Sequence, residues 1–290
     1  MTKASFFKVG FIVFLSVAVF HGRYSFSDIF EKQTALKSTT SSSLTEKGKK
    51  NSTRLKFEDE FLKYTISFWF LKRIGVVTLQ CKREKNVFTI TIDGFTTGLI
   101  DKIVHRHNIY RTTMVFDRET KRLKPLSSYE KKIKGHEERV KVTHYDYPKN
   151  VRKFTIWRNG AFRREKEIAL DEVSNDDGIT AFYNLRNESY GRVSDGAHFS
   201  IQTVHKERVT ETKIHVRSIE DSEDFSRWKG GILDAELMAE ITLDPEMIDS
   251  ENGKIEVLLT RDFVPVGFVA RDVVGFGDLY GILEQEGNMD

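Results

Sequence analysis

"FTIWRNGAFRRE", Phe154 to Glu165, places large apolar and polar side chains alternately, meets Asn159-Gly160, and starts a second run. Asn and Gly tolerate the positive φ that a two-residue hairpin turn demands, so this stretch is expected to be an antiparallel pair closed by a tight turn. Asn252-Gly253 repeats the signal between two later runs, and Asp93-Gly94 and Asp195-Gly196 read as further hairpins or looser turns.

On both sides of this hairpin the same alternation continues. Before it stand "YTISFWFL" from Tyr64, "GVVTLQCK" from Gly75, "NVFTITIDGF" from Asn86, "RTTMVFD" from Arg111 and "RVKVTHYDY" from Arg139. After it come "HFSIQTVHKE" from His198, "ETKIHVRSIE" from Glu211, "AELMAEITL" from Ala235, "KIEVLLTRD" from Lys254 and "PVGFVARDVV" from Pro265. β-Branched and aromatic residues fill these runs, and the chain has only 4 prolines to remove ladder donors. The expected fold is mainly β, an antiparallel sheet that curls into a barrel or half-barrel. Apolar faces are expected at Ile66, Phe68 and Phe70, at Val140, Val142 and His144, and at Ile255, Val257 and Leu259. A curled sheet with such faces encloses either a side-chain core or an apolar cavity, and 22 phenylalanines suit both.

One stretch breaks the pattern. In "SNDDGITAFYNLRNESYG", Ser174 to Gly191, Ile179, Phe182, Tyr183 and Arg186 recur at helical spacing, and Asp176 and Asp177 stand where short carboxylates cap a helix. The spacing predicts one short helix packed on or in the sheet as a cover or plug.

The chain opens with Lys3 and Lys8, then the mostly apolar run Val9 to Phe20, then a polar stretch with Ser25 and Ser27 before Asp28. This reads as an export signal over residues 1–27, cut near Ser27, with the periplasm as destination. The alternative is an uncleaved anchor in the inner membrane, although the run is short of the roughly 20 residues of a membrane span. Residues 28–56, rich in Ser, Thr and Lys, read as a flexible tether whose basic "EKGKK" offers a peripheral contact with anionic lipid. Residues 57–290 read as a single β-barrel-like domain.

The chain holds 46 Lys+Arg against 43 Asp+Glu, but beyond Lys56 acidic residues outnumber basic ones, which argues against a nucleic-acid partner. Gly-x-Ser-x-Gly and the glycine patterns of dinucleotide and phosphate loops are absent, and no cofactor is expected. Cys81, the single cysteine, reads as a packed strand residue. His105 and His107 share a strand face and are weak candidates for a shared metal. Asp262, in the apolar "LLTRDFVPVGF", reads as a hydrogen-bonded corner or a polar anchor in a pocket; Arg186 could pair with such a carboxylate or meet an anionic ligand group.

Three stretches, "EFLKYTISFWFLKRIGVVTLQC", "DDGITAFYNLRN" and "KIEVLLTRDFVPVGFVARDVVGFGDLYGIL", resemble the DUF3108 family of exported bacterial proteins of unassigned biochemical function. The chain departs from that pattern in its long tether and in Phe263-Val264, where a basic residue often precedes the proline. The resemblance implies an exported antiparallel barrel or half-barrel with a helix laid against it, and carries over no catalytic residue. Its architecture suggests kinship with envelope carriers that hold lipid chains in a curved sheet, a fold analogy only.

The function expected is therefore that of a non-enzymatic cell-envelope protein binding an amphiphilic, lipid-like ligand within its curved sheet. Phe68, Phe182 and Tyr183 would contact the apolar part, Arg186 and Asp262 the polar part. The alternative is an envelope protein-protein interaction or assembly module. A hydrolase or metal-dependent enzyme would need His105 and His107, or Asp262 and Arg186, to converge with a third polar group in one cleft.

Overall fold

The computed structural model describes residues 55, 57–68, 71–170, 175–205, 207–221, 234–248, 250–273 and 277–288. The stretches read from the sequence as an export signal and, but for Leu55, as a tether lie outside the described residues, as does Phe70.

The strands are β1 (Glu60–Phe68), β2 (Leu71–Glu84), β3 (Val87–Thr96), β4 (Arg106–Asp117), β5 (Arg122–Lys134), β6 (Glu137–Asp146) and β7 (Val151–Arg158). They continue as β8 (Ala161–Ala169), β9 (His198–His205), β10 (Arg208–Ser218), β11 (Leu237–Thr242), β12 (Lys254–Leu259), β13 (Pro265–Val273) and β14 (Gly277–Asn288). Among the described residues two helices interrupt them, α1 (Gly98–Ile103) and α2 (Gly178–Arg186), besides single helical turns at Ile219–Asp221 and Pro245–Ile248.

All the strands join one sheet in the order β8-β7-β6-β5-β4-β3-β2-β1-β14-β13-β12-β11-β10-β9, antiparallel throughout. The chain meanders away from β1 to one edge, builds α2, and returns from the other edge to pair β14 with β1. The sheet is not closed by a backbone ladder, since β8 and β9 are its edges. Side chains draw the two edges together. Glu207, in the β9–β10 turn, takes both Arg164 and Lys166 of β8 at 2.6 and 2.5 Å. α2 supplies the inner tie, because its segment is bonded to β4 and β5 on one side and to β9 on the other.

The hairpin at Asn159-Gly160 forms as read, with φ of 50° and 72°. Asp93-Gly94 is not a turn: both lie inside β3, and a Cβ on Gly94 would stand 2.8 Å from Val77 on the paired strand. Close strand approach, not positive φ, explains that glycine. Asn252-Gly253 ends a longer β11–β12 connection that includes the Pro245–Ile248 turn.

On β1 to β3 the face toward α2 is apolar, with Leu62, Ile66, Val77, Leu79, Cys81, Phe88 and Ile90 buried. Burial pushes the Cys81 thiol up to about 12, leaving an inert packed side chain. Ala181 and Leu185 of α2 pack into Val193, Ile201, Ile214, Val216, Ala239, Leu259 and Phe263 on the far side. β11 to β14 also bury their other face, through Met238, Leu258 and Val269.

β6 reverses the expectation for its faces. Thr143 and Tyr145 are the buried residues, at 3% and 8% exposure, while Val140 and Val142 are half-buried on the opposite face and His144 is exposed. The ladder fixes this sense: Thr143 pairs with Ser128, which pairs with Thr112, whose hydroxyl donates to Asp177 beside α2.

Candidate functional site

α2 starts because Asp177 caps it. The Asp177 carboxylate accepts from the Thr180 amide at 2.8 Å and from the Thr112 hydroxyl at 3.1 Å, and burial raises its pKa. Asp176 is not a cap but a buried hub, its Oδ2 accepting from Arg122 (2.7 Å), Asn184 (3.1 Å) and Tyr190 (2.5 Å). Asn184 then acts as a strand partner for one residue: its Oδ1 accepts the Leu123 amide at 2.7 Å and its Nδ2 donates to the Leu123 carbonyl at 2.9 Å.

Arg186 ends the helix and is 3% exposed. Its two Nη atoms donate to the two oxygens of Glu60 at 2.7 and 2.6 Å, and its Nε donates to the Phe263 carbonyl at 2.9 Å. Burial opposes its charge, but the Glu60 bonds outweigh burial and raise its pKa. Tyr183 is fully buried edge-on to Phe57, with ring centroids 4.7 Å apart.

Phe182, Leu185, Arg186, Val193, Leu259 and Phe263 border a void of about 10 Å³. That is the space of one water, against about 300–1,000 Å³ for a small-molecule site. α2 therefore plugs packed core at this point. The helical reading of the segment holds, but its buried side is wider than expected: Thr180, Ala181, Asn184 and Leu185 are buried with Tyr183 and Arg186, whereas Ile179 and Phe182 are half-buried. A helix enclosed by a curled sheet has core on more than one side.

The other expected contacts disperse. Asp262 is exposed in the β12–β13 turn, so it is no buried corner, and Arg186 meets Glu60 instead. Phe68 ends β1 at the opposite end from Glu60, roughly 26 Å away at 3.3 Å per strand residue. His105 and His107 each turn to a separate carboxylate, Asp101 at 3.1 Å and Asp93 at 2.9 Å. Among the described residues no three His, Cys, Asp or Glu side chains gather to hold a metal ion.

A different group of side chains does converge. On β4 to β7 the face continuous with the α2 side carries, beside the buried rings of Tyr145 and Phe154, a series of polar and cationic side chains: Arg106 and Asn108 on β4, Glu130 and Lys132 on β5, Arg139 and Lys141 on β6, Arg152 on β7. The registers Asn108↔Lys132, Lys132↔Arg139 and Glu130↔Lys141 set the middle of this group side by side, while Arg106 pairs with Lys134 toward one end and Arg152 with Tyr145 toward the other. Arg106, Asn108 and Arg152 are buried at 7%, 6% and 3% exposure. Lys132 and Lys141 are half-buried and Arg139 is exposed, so the group runs from a buried floor to an open rim.

Its electrostatics are lopsided. Burial lowers the Lys141 pKa, and Arg152, Arg139 and Lys132 lower it further against the pull of Glu130. Burial alone would raise Glu130, but Lys132, bonded to it at 2.6 Å, and Lys141 outweigh burial and hold its carboxyl below the usual range. The neighbouring acids at the margins are engaged elsewhere, Glu137 with Arg158 at 2.7 Å and Glu207 with Arg164 and Lys166. The Lys132 and Lys141 ammonium groups stand over the Tyr110 and Phe154 rings, at 5.6 and 5.3 Å. Such a surface can bind an anion through charge-assisted hydrogen bonds.

Sequence reasoning missed this set because β5 carries no apolar alternation. The available signal was the polar period-two series Arg106, Asn108, Tyr110, Thr112, a strand whose buried face is not greasy.

A search of curated proteins returns no match. Among solved structures, the chain is similar to a crystal structure of a beta-barrel-like protein of the domain of unknown function DUF1849 from Brucella abortus. That likeness has 11% identity and a TM-score of 0.47 over 80% of this chain and 98% of that one. The model for the protein of unknown function family DUF3108 matches residues 63–280, which takes in β2 to β13, α2 and the cationic face; the chain belongs to the DUF3108 family.

Proposed function

We propose that the protein is a non-enzymatic binding protein of the cell envelope, which holds an anionic, phosphate- or carboxylate-bearing ligand on the inward face of β4 to β7. The observation that carries this reading is the grouping of Lys132, Arg139 and Lys141 about the Glu130 carboxylate, with Arg152 close enough to Lys141 to act on its charge. Keeping like charges together and partly desolvated is costly, and a bound anion relieves both repulsion and desolvation. The amphiphile expected from the sequence remains through its acidic head group, not through an acyl chain beside α2, where the void is about 10 Å³. No cofactor is required for this role.

Calorimetric titration with pyrophosphate tests it. Binding is expected for the wild type, with a loss of about tenfold or more in Lys132→Ala and Lys141→Ala, since each removes a charge-assisted hydrogen bond worth about 1.5–3 kcal/mol. Lys149→Ala, whose exposed lysine pairs with Asp146, should leave affinity unchanged. Equal affinity in all four proteins, or none in the wild type, would refute the reading.

A second reading, an assembly module, is favoured by β8. It is a sheet edge exposed over nearly its whole length, with Phe162 at 60% exposure. Its run Arg163-Arg164-Glu165-Lys166-Glu167 is the kind of charged edge that discourages unspecific strand addition, so a partner would have to match those charges.

A further inference from the structure

The β3–β4 connection carries a second feature, at the sheet end opposite to the α2 ties on Glu60 and Leu123. Leu99 and Ile103 stand four residues apart on α1, hence on one helix face, and each is 75% exposed. They are the most exposed large apolar side chains among the described residues.

α1 is held firmly in this pose. Thr97, which precedes it, donates its amide to the Ile74 carbonyl at 2.8 Å and its hydroxyl to the Arg73 carbonyl at 2.5 Å. On the inner side Asp101 accepts from the Thr96 hydroxyl at 2.8 Å and faces His105 at 3.1 Å. The acidic side chain of α1 is thus turned in, and the aliphatic pair is turned out.

Exposed basic side chains share this end of the sheet. Lys102 is exposed on α1, Lys72 and Arg73 are exposed at the start of β2 to which Thr97 is bonded, and Lys134 is exposed beside the β5–β6 turn, where the Gly135 amide donates to the His105 carbonyl at 2.8 Å. Arg73 touches Glu284 at 3.4 Å with its side chain 78% exposed, a pair too solvated to neutralise it. Of the other nearby acids, Asp93 faces His107, and Glu137, opposite Lys134 in the β5–β6 ladder, is bonded to Arg158.

We propose that this end of the sheet docks on an anionic phospholipid bilayer, Leu99 and Ile103 entering the acyl boundary while Lys72, Arg73, Lys102 and Lys134 meet lipid phosphates. Two aliphatic side chains fixed side by side at a sheet end that also exposes long basic ones match an interface that is apolar below and negative above. Lysine and arginine reach phosphate while their stems follow the apolar surface. The pair is too small to hold the protein on a neutral membrane by itself, so binding depends on both parts.

Co-sedimentation of the full chain with vesicles tests this. Phosphatidylglycerol/phosphatidylethanolamine vesicles should pellet the wild type at least tenfold more strongly than phosphatidylcholine vesicles. Leu99→Ser/Ile103→Ser and, separately, Lys72→Glu/Lys102→Glu should each lose that advantage while circular dichroism and pyrophosphate affinity stay unchanged. Because the basic tether is present in every protein compared, undiminished pelleting of both variants would assign binding to another segment and overturn the proposal. Equal pelleting of the wild type on both vesicle types would overturn it as well.

Discussion

Arg186 and Glu60 lie 126 residues apart in sequence, and their bidentate contact ties the end of α2 to the start of β1. The pair is buried, at 2% and 8% side-chain exposure, so losing one partner leaves a charge uncompensated in the core. Glu60→Ala is expected to cost about 3–5 kcal/mol in denaturant unfolding, and Glu60→Leu/Arg186→Met much less. Had Arg186 been a ligand contact, its removal would change binding more than folding. Asp177 gives a pH signature of opposite sign to an ordinary paired carboxylate. Its pKa is raised in the folded protein, so the folded state holds the proton more tightly, and stability falls as pH rises from the unfolded carboxyl value through the raised one. Asp177→Asn, which keeps the cap, should flatten that slope in acid unfolding. Lys141 supplies the alkaline counterpart. Its lowered pKa means that the folded state sheds the proton first, so stability rises with pH from the lowered value up to the usual lysine value. Affinity for an anion falls over the same window, and calorimetry at alkaline pH in buffers of different ionisation enthalpy should register net proton uptake on binding.

Among the elements, α2 was legible because helical spacing and an Asp-Asp start stand out in a chain of alternating strands, and the Asn159-Gly160 hairpin because its turn chemistry is local. The inward sense of β6 was not legible. "RVKVTHYDY" alternates two faces, and apolarity alone selects the valines, whereas the register through Ser128 and Thr112 turns the Lys141, Thr143 and Tyr145 face toward α2. β5 was invisible for the same reason, since "SSYEKKIK" has no greasy face to announce a strand. α1 had only the Leu99/Ile103 spacing to mark it, too short a period to separate from a turn. The partner of Arg186 was out of reach because nothing local links Glu60 to residue 186. Contacts of that range come from topology, as does the Asn184 bond pair to Leu123, whose loss in Asn184→Ala should cost about 1–3 kcal/mol by leaving the buried backbone of β5 unmatched.

The β domain, over its described residues, is an open sheet held in a curl mainly from within. The ion pairs that bring β8 to the β9–β10 turn are exposed, Arg164 at 53% and Glu207 at 33%, and exposed pairs contribute roughly 0.2–1 kcal/mol. Glu207→Ala should therefore change unfolding free energy by less than about 1 kcal/mol. Amide exchange should be slowest along β1 and β14 at the middle of the sheet order and fastest along β8, whose outer backbone groups pair with no strand. This architecture divides the interior into an apolar half filled by α2 and a cationic half open at its rim, and the second half is where we propose that the anion binds. Crystals soaked in tungstate, a heavy tetrahedral dianion, would show it in an anomalous difference map. A peak among Lys132, Lys141 and Arg152 is predicted; anomalous density confined to outer lysines such as Lys149 and Lys213, with none on the inward face of β4 to β7, would contradict it.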